Sequence, residues 1–397
     1  MGVHFAMRPS ARTGPMVPSQ AATLLRSGPS SHERCIMRIT IYSRHDFRTK
    51  RKTSIHFLAE QFAAEHEVRF ISIGYSDISK LRNDSRVSFD VDANKWRSVS
   101  GVQCYLWKTA LHPFDFGSGR IRTIAGYLYD LWSCWPNEEV DRSARLSDLV
   151  IVVSGIGPAL LRRIRRQAPD SIICYYSCDR LSVAKVHPRI QDILDRDQAI
   201  IDTVVVVSRA QLADFDRYSA RVSFVPHGLD LAAFKSASQP RFARDKNAVS
   251  VGSMLFDINA VDIMAKNFPD VDFHLIGTGA QSSNLTNVHI YPEMAFAETI
   301  AFLQHVNVGI AAYQNISNGE YLSDSSIKLR QFGHLGLPSV CPYLAVGESS
   351  IRHGYDPSIE HSIVTAFRSA LNVSERRSEP SKSWEETAQS FLKAAVC

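Results

Sequence analysis

From residue 36 onward, short runs of β-branched and aliphatic residues alternate with stretches whose apolar positions recur every three or four residues. The runs predict strands at 36–43, 67–73, 103–107, 148–153, 171–176, 203–207 and 222–225. The amphipathic stretches predict helices at 52–65, 119–134, 156–167, 187–199 and 208–216. Leu149-Val-Ile-Val-Val153 and Thr203-Val-Val-Val-Val207 show no polar alternation, as expected of strands covered on both faces. The pattern stops after His227-Gly-Leu-Asp230, and residues 231–247 read as a linker. It resumes with strands at 248–253, 271–276, 287–291, 307–312 and 338–341, and with helices at 258–267, 295–304 and 325–335.

This alternation predicts an α/β protein with two Rossmann-like domains, at 37–230 and 248–375, whose parallel sheets face a cleft between them. A tail helix within 376–397 opens on a capping box, Ser383 to Glu386. Residues 1–36 are rich in Pro, Ser, Gly and Ala without a clear apolar period. They read as a disordered or mis-called extension before Met37, the alternative being an Arg-rich targeting peptide.

Composition narrows the class. Hydrophobic, charged and aromatic fractions of 45%, 21% and 10% suit a globular protein. The net charge of +5 does not argue for nucleic acid, because Arg8, Arg12, Arg26 and Arg34 against Glu33 place +3 of it in the first 36 residues. Seven scattered cysteines with no CxxC pair suggest reduced thiols of a cytoplasmic protein rather than a disulfide framework or a metal site. No apolar run is long enough to span a bilayer.

The candidate chemistry begins with Tyr321-Leu-Ser-Asp-Ser-Ser-Ile-Lys-Leu-Arg-Gln331. A helix starting at Ser325 and Ser326 presents two hydroxyls and unpaired amides, with Lys328 in its first turn, a combination that favours phosphate. Gly252, Gly277 and Gly279 lie at the ends of predicted strands and admit a ligand close to bare backbone. Together these features point to a nucleotide-diphosphate pocket. No GxxxxGK[ST] is present, and the GxG of 277–279 lacks the third glycine of a dinucleotide fingerprint. Glu293, just past a strand end, either accepts from ribose hydroxyls or caps the following helix. Asp179, closing the strand at 171–176, serves either as a general base facing the cleft or as a helix N-cap. Arg180 beside it lowers the Asp179 pKa unless its side chain points elsewhere.

Two basic clusters lie in the first domain. Arg44, Arg48, Lys50, Arg51 and Lys52 follow the first strand, where an anionic acceptor would be gripped, and Arg162, Arg163, Arg165 and Arg166 share a helix. Between them, residues 120–135 combine Arg with Tyr127, Tyr129, Trp132 and Trp135, reading either as a helix on an anionic membrane surface or as a solvated face over a core stripe.

Several segments, in order, carry a resemblance: His45-Asp-Phe-Arg-Thr49 with Ile55-His-Phe57, Gly101-Val-Gln-Cys-Tyr-Leu-Trp107, Ser154-Gly-Ile156, and Asp179 with Leu181-Ser182. Val251-Gly-Ser-Met-Leu-Phe-Asp257, Glu293-Met294, the 321–329 segment, Gly336-Leu-Pro-Ser-Val-Cys-Pro342, Val346-Gly347 and Gly354-Tyr355 continue it. Over roughly residues 38–370 the chain resembles the GumK-like glucuronosyltransferases, glycosyltransferase family 70, bacterial inner-membrane enzymes of xanthan-type exopolysaccharide assembly with a GT-B fold. The resemblance implies transfer from UDP-glucuronate, with inversion and without metal or other cofactor, to a mannose of a diphosphoprenyl-linked oligosaccharide. It implies Asp179 as base, and Met254, Glu293, Met294, Tyr313, Ser325, Ser326, Lys328 and Gln331 as contacts of the nucleotide. It further implies a peripheral protein at the cytoplasmic face of the inner membrane, its first domain touching anionic lipids. Arg180, Ile327 and the loop 314–320 depart from the family pattern. Two rival readings keep a nucleotide-sugar pocket: an epimerase of the same fold, and a non-catalytic partner within a polysaccharide-export complex.

Overall fold

In the computed structural model the described residues are 36–397, apart from 51, 83, 114, 116–118, 185 and 236–241. Strands β1 (Arg38–Ser43), β2 (Glu67–Tyr75), β3 (Trp96–Val99), β4 (Val102–Lys108), β5 (Leu149–Val153), β6 (Ile172–Ser177), β7 (Thr203–Val206) and β8 (Arg221–Phe224) form one sheet. Its order is β3-β4-β2-β1-β5-β6-β7-β8. Strand β3 runs antiparallel to β4, and the remaining neighbours are parallel. The second sheet contains β9 (Asn247–Val251), β10 (Asp272–Ile276), β11 (Val288–Tyr291), β12 (Val308–Ile310), β13 (Ser339–Pro342) and β14 (Arg352–Tyr355). It is parallel throughout, in the order β11-β10-β9-β12-β13-β14.

Both sheets are covered on two faces, which explains the unbroken apolar runs. In β5, Val150 and Val152 enter one core while Leu149, Ile151 and Val153 enter the other. Each sheet also reverses its winding once, beside β1 and beside β9, and open parallel sheets bind ligands beyond the strand ends at such points.

Some elements escaped the sequence pattern. Strand β3 and strand β14 are edge strands, partly exposed and carrying Arg residues, so they lack the hydrophobic signature of a central strand. Helices Glu138–Arg145 and Glu360–Leu371 are additional, and the stretch expected to be one helix at 208–216 is a 3-10 helix, Arg209–Phe215. The tail helix Trp384–Val396 has the predicted capping box, with the Ser383 amide donating to Glu386 Oε2 at 2.8 Å. It returns to the first sheet. Trp384 stacks on Phe57 with ring centroids 4.8 Å apart, Phe391 meets Phe62 and Tyr176, and Thr203 Oγ1 donates to the Ala395 carbonyl.

Candidate active site

The strand-end loops of the two sheets meet. Arg180, after β6, donates to the Asn318 carbonyl at 2.7 Å, and the Arg209 amide, after β7, donates to Asp324 Oδ2 at 2.9 Å. Asp324 also accepts from Ser208 Oγ at 3.2 Å. These bonds join the loop carrying Asp179 to the segment that leads into Lys328.

Asp179 stands past the end of β6, half-buried, with its amide donating to Ser154 Oγ at 3.3 Å. No helix starts here; the next one, Arg189–Arg196, begins after Pro188, so the capping role does not apply. The carboxylate accepts no hydrogen bond from the described residues, and burial pushes its pKa up to about 6. Arg180 does point elsewhere: its guanidinium donates to both Asp214 oxygens, at 2.7 and 3.0 Å, and to the Ala210 carbonyl at 2.8 Å.

The segment 322–335 differs from the predicted helix in one detail. A short turn, Leu322–Ser325, ends at Ser326, which leaves helical geometry at ψ 109° and caps a second helix, Ile327–Leu335. Ser326 Oγ accepts from the Leu329 amide at 3.3 Å, and the Tyr313 hydroxyl bonds the same oxygen. The first-turn amides of Ile327 and Lys328 have no acceptor within the helix. The Lys328 ammonium is buried with no hydrogen-bond partner among the described residues, and burial lowers its pKa to about 8. Ser325, Ser326 and Gln331 are buried beside it.

Strand β9 is followed by Gly252 (φ +80°), where an added Cβ would meet nothing within 4 Å. Beyond it, Ser253, Phe256, Thr278, Gly279 and Gln314 line an open hollow of about 310 Å³, and Met254, next in the chain to Ser253, is 41% exposed. Gly277 (φ +58°) adopts a left-handed conformation that favours glycine and lies in van der Waals contact with the Glu293 backbone, 3.4 Å from where a Cβ would sit. The helix after Glu293 is capped at Ala295 without a side-chain bond, which removes the capping role of Glu293 and leaves its exposed carboxylate free for a ligand.

Several basic and aromatic candidates are placed otherwise than expected. Arg48 pairs with buried Asp46 at 2.8 Å, its side chain 6% exposed, and its guanidinium covers the Phe89 ring, so it shapes the loop after β1 rather than standing in solvent. Lys52 is tied to the Phe47 carbonyl at 2.9 Å and to Glu60 at 3.4 Å. Arg44 and Lys50 are exposed on this loop, and Arg51 lies outside the described residues. Trp132 is 3% exposed and stacks on Trp107, so it belongs to the core and not to a lipid-facing surface. Arg162, Arg163 and Arg165 pair with Asp197, Asp141 and Asp202, which cancels most of the second basic cluster. The helix Gly119–Ser133 nevertheless exposes Ile121, Ile124, Tyr127 and Leu131, followed by Trp135, on one face. Sequence reasoning gave no role to Asp324 or Tyr321; both sit inside the quoted motif, but their partners come from distant strands.

The family model described as glucuronosyltransferase GumK, N-terminal domain, matches residues 41–207. A UDP-glucuronate:glycolipid 2-beta-glucuronosyltransferase of Xanthomonas campestris pv. campestris is 35% identical over 354 residues, covering 89% of this chain and 88% of that protein. Sucrose-phosphate synthase from Thermosynechococcus elongatus superposes with a TM-score of 0.60 at 12% identity, over 90% of this chain and 94% of the other. An E. coli trehalose-6-phosphate enzyme bound with UDP-2-fluoro glucose gives 0.57 at 9% identity, over 90% and 96%. At such low identity these two likenesses show only the fold, the two-sheet GT-B architecture of glycosyltransferases. The 35% identity across nearly the whole length shows more: the chain belongs to the GumK glucuronosyltransferase family.

Proposed function

We propose that this glycosyltransferase moves glucuronate from UDP-glucuronate, with inversion, to a hydroxyl of a diphosphoprenyl-linked oligosaccharide. The observation that carries the reading is a buried, unpartnered ammonium at Lys328 joined through touching loops to a half-buried, unbonded carboxylate at Asp179. Asp179 takes the proton of the acceptor hydroxyl, whose oxygen attacks the anomeric carbon from the face opposite the diphosphate. The bond from that carbon to the phosphate oxygen breaks, and its electron pair leaves on UDP. Lys328 and the amides at the start of Ile327–Leu335 neutralise that charge. We assign to them the role a metal ion has in other phosphate-handling enzymes, so no cofactor is required. Met254, Met294, Tyr313, Ser325, Ser326 and Gln331 line the nucleotide, and Glu293 accepts from its ribose.

The acceptor in this reading is lipid-linked, and the exposed face of Gly119–Ser133 supplies an apolar contact for the membrane that holds it. No helix among the described residues is long and apolar enough to cross a bilayer, which fits peripheral attachment at the cytoplasmic face of the inner membrane. Arg44 and Lys50 stand ready for anionic groups.

The test incubates purified protein with radiolabelled UDP-glucuronate and a diphosphoprenyl-linked oligosaccharide ending in mannose. Expected are lipid-extractable label and UDP release, both lost in Asp179→Asn while UDP binding persists. Conversion of the nucleotide sugar without acceptor would favour an epimerase, and binding without UDP release a non-catalytic partner. Transfer from UDP-glucose but not UDP-glucuronate would overturn the donor assignment.

A further inference from the structure

Tyr321 lies in the short turn Gly319–Tyr321, wholly buried, and its hydroxyl has no hydrogen-bond partner among the described residues. Native proteins seldom leave a buried hydroxyl unpaired, and each instance calls for a cause. The ring is held from the first sheet's side: the Arg180 guanidinium lies 5.7 Å from its centre. With its nitrogens committed to Asp214, Ala210 and Asn318, Arg180 orients the ring rather than meeting a substrate. Asp179 and Cys178 act on the phenol electrostatically and, after burial itself, keep it protonated, so it remains a donor. The Cys178 thiol, pushed up to about 12 by burial and bonded to Ser154 Oγ at 3.0 Å, takes no part in proton transfer.

The phenol, with a proton to donate, thus packs against Arg180, the chain neighbour of Asp179, whose carboxylate has lone pairs to offer, and neither group is hydrogen-bonded among the described residues. An alcohol satisfies both at once, accepting from the phenol and donating to the carboxylate. A sugar carboxylate could accept from Tyr321 but would be repelled by Asp179. We propose that Tyr321 is a catalytic residue that donates a hydrogen bond to the acceptor hydroxyl and holds it beside Asp179. This rests on the reading of Asp179 as the base. One lone pair of the acceptor oxygen faces Tyr321, the other faces the anomeric carbon, and the proton points at Asp179. During transfer the proton passes to Asp179, the new carbon–oxygen bond forms, and the bond to the diphosphate breaks with its electrons. Tyr321 keeps its proton.

The test is Tyr321→Phe, assayed with UDP-glucuronate and the mannose-terminated diphosphoprenyl oligosaccharide beside the wild type and Asp179→Asn. We expect kcat/KM for the acceptor to fall about tenfold, the scale of one lost hydrogen bond to a reacting oxygen. UDP affinity by calorimetry, the acid limb of the pH profile and the thermal midpoint should hold, since the hydroxyl removed is unpaired in the free protein. Unchanged acceptor kcat/KM overturns the proposal, and so does activity lost in step with stability or UDP affinity. A displaced acid limb with unchanged acceptor kinetics overturns it too, because the phenol would then act on Asp179 alone. An inactive wild type overturns the parent reading as well; an active wild type with a fully active Tyr321→Phe overturns this inference only.

Discussion

Lys328 Nζ lies 5.1 Å from the centre of the Tyr313 ring, and the hydroxyl of that same ring bonds Ser326 at the cap of the Lys328 helix. A cation over an aromatic face gains about 0.5–2 kcal/mol. Desolvating an ammonium costs several kcal/mol, so the ring does not offset the burial. The depressed Lys328 pKa records the deficit. A diphosphate would supply the acceptors that the buried ammonium lacks among the described residues.

Lys328→Met should therefore weaken UDP binding by at least about tenfold while raising the thermal midpoint of the nucleotide-free protein near pH 7. The folded pKa of about 8 lies below the ordinary lysine value of 10.5, so between them the folded state binds fewer protons than the unfolded chain. Stability from this group rises with pH across that window and loses the slope in the variant. Wild-type UDP affinity in calorimetry would remove Lys328 from its assigned place.

The pH profile of kcat/KM should be bell-shaped. Asp179 must be ionised to act, so the rate rises with pH through about 6; Lys328 must be charged to hold the diphosphate, so it falls through about 8. The linkage for Asp179 has a definite sign. Its folded pKa exceeds the unfolded value near 3.8, so its contribution to stability is fully present below about 4 and is lost as pH rises through about 6. Asp179→Asn should then gain most in thermal midpoint over the wild type above pH 6, and an equal difference at pH 4 and pH 7.5 would refute the assignment.

Trp384→Ala should cost about 3–5 kcal/mol in chemical denaturation. Trp384 stacks on Phe57, and the Gly228 backbone lies so close that a Cβ there would sit 2.7 Å from Trp384 Cα. Trp384→Phe keeps part of the stack and should lose less. Equal losses would mean the indole's fit does not matter.

Ile124→Glu combined with Leu131→Glu should leave folding intact, since both side chains are about two-thirds exposed. Sedimentation with vesicles containing anionic phospholipid should show at least a tenfold drop in bound protein, because each side chain buried in lipid contributes about 1.5–3 kcal/mol. Unchanged vesicle binding would move the membrane contact elsewhere.

What could be read along the chain was whatever depends on near neighbours. The buried β5 and β7 announced themselves through runs of Val and Ile, because a strand covered on both faces has no polar alternation. Asp179 at a strand end and Lys328 in a first helical turn followed from the same local rules. Edge strand β14, Arg352-His-Gly-Tyr355, did not, since it pairs on one side only and carries no apolar signature.

Charge and aromatic content misled where the placement of a partner side chain decided the outcome. Arg48 and Arg163 look like surface cations until Asp46 and Asp141 are brought beside them, and Trp132 looks lipid-facing until Trp107 stacks on it. The chain alone determined two α/β sheets with parallel central strands, a base candidate and a candidate phosphate-binding helix terminus, all consequences of periodicity and of groups a few residues apart. Tertiary structure decided which charges are spent in ion pairs, that Arg180 turns from Asp179 to clasp the opposite loop, and that Tyr321 is left with a proton to give. The bonds of Arg180 to Asn318 and of Ser208 to Asp324 join segments over a hundred residues apart, and no local pattern encodes them.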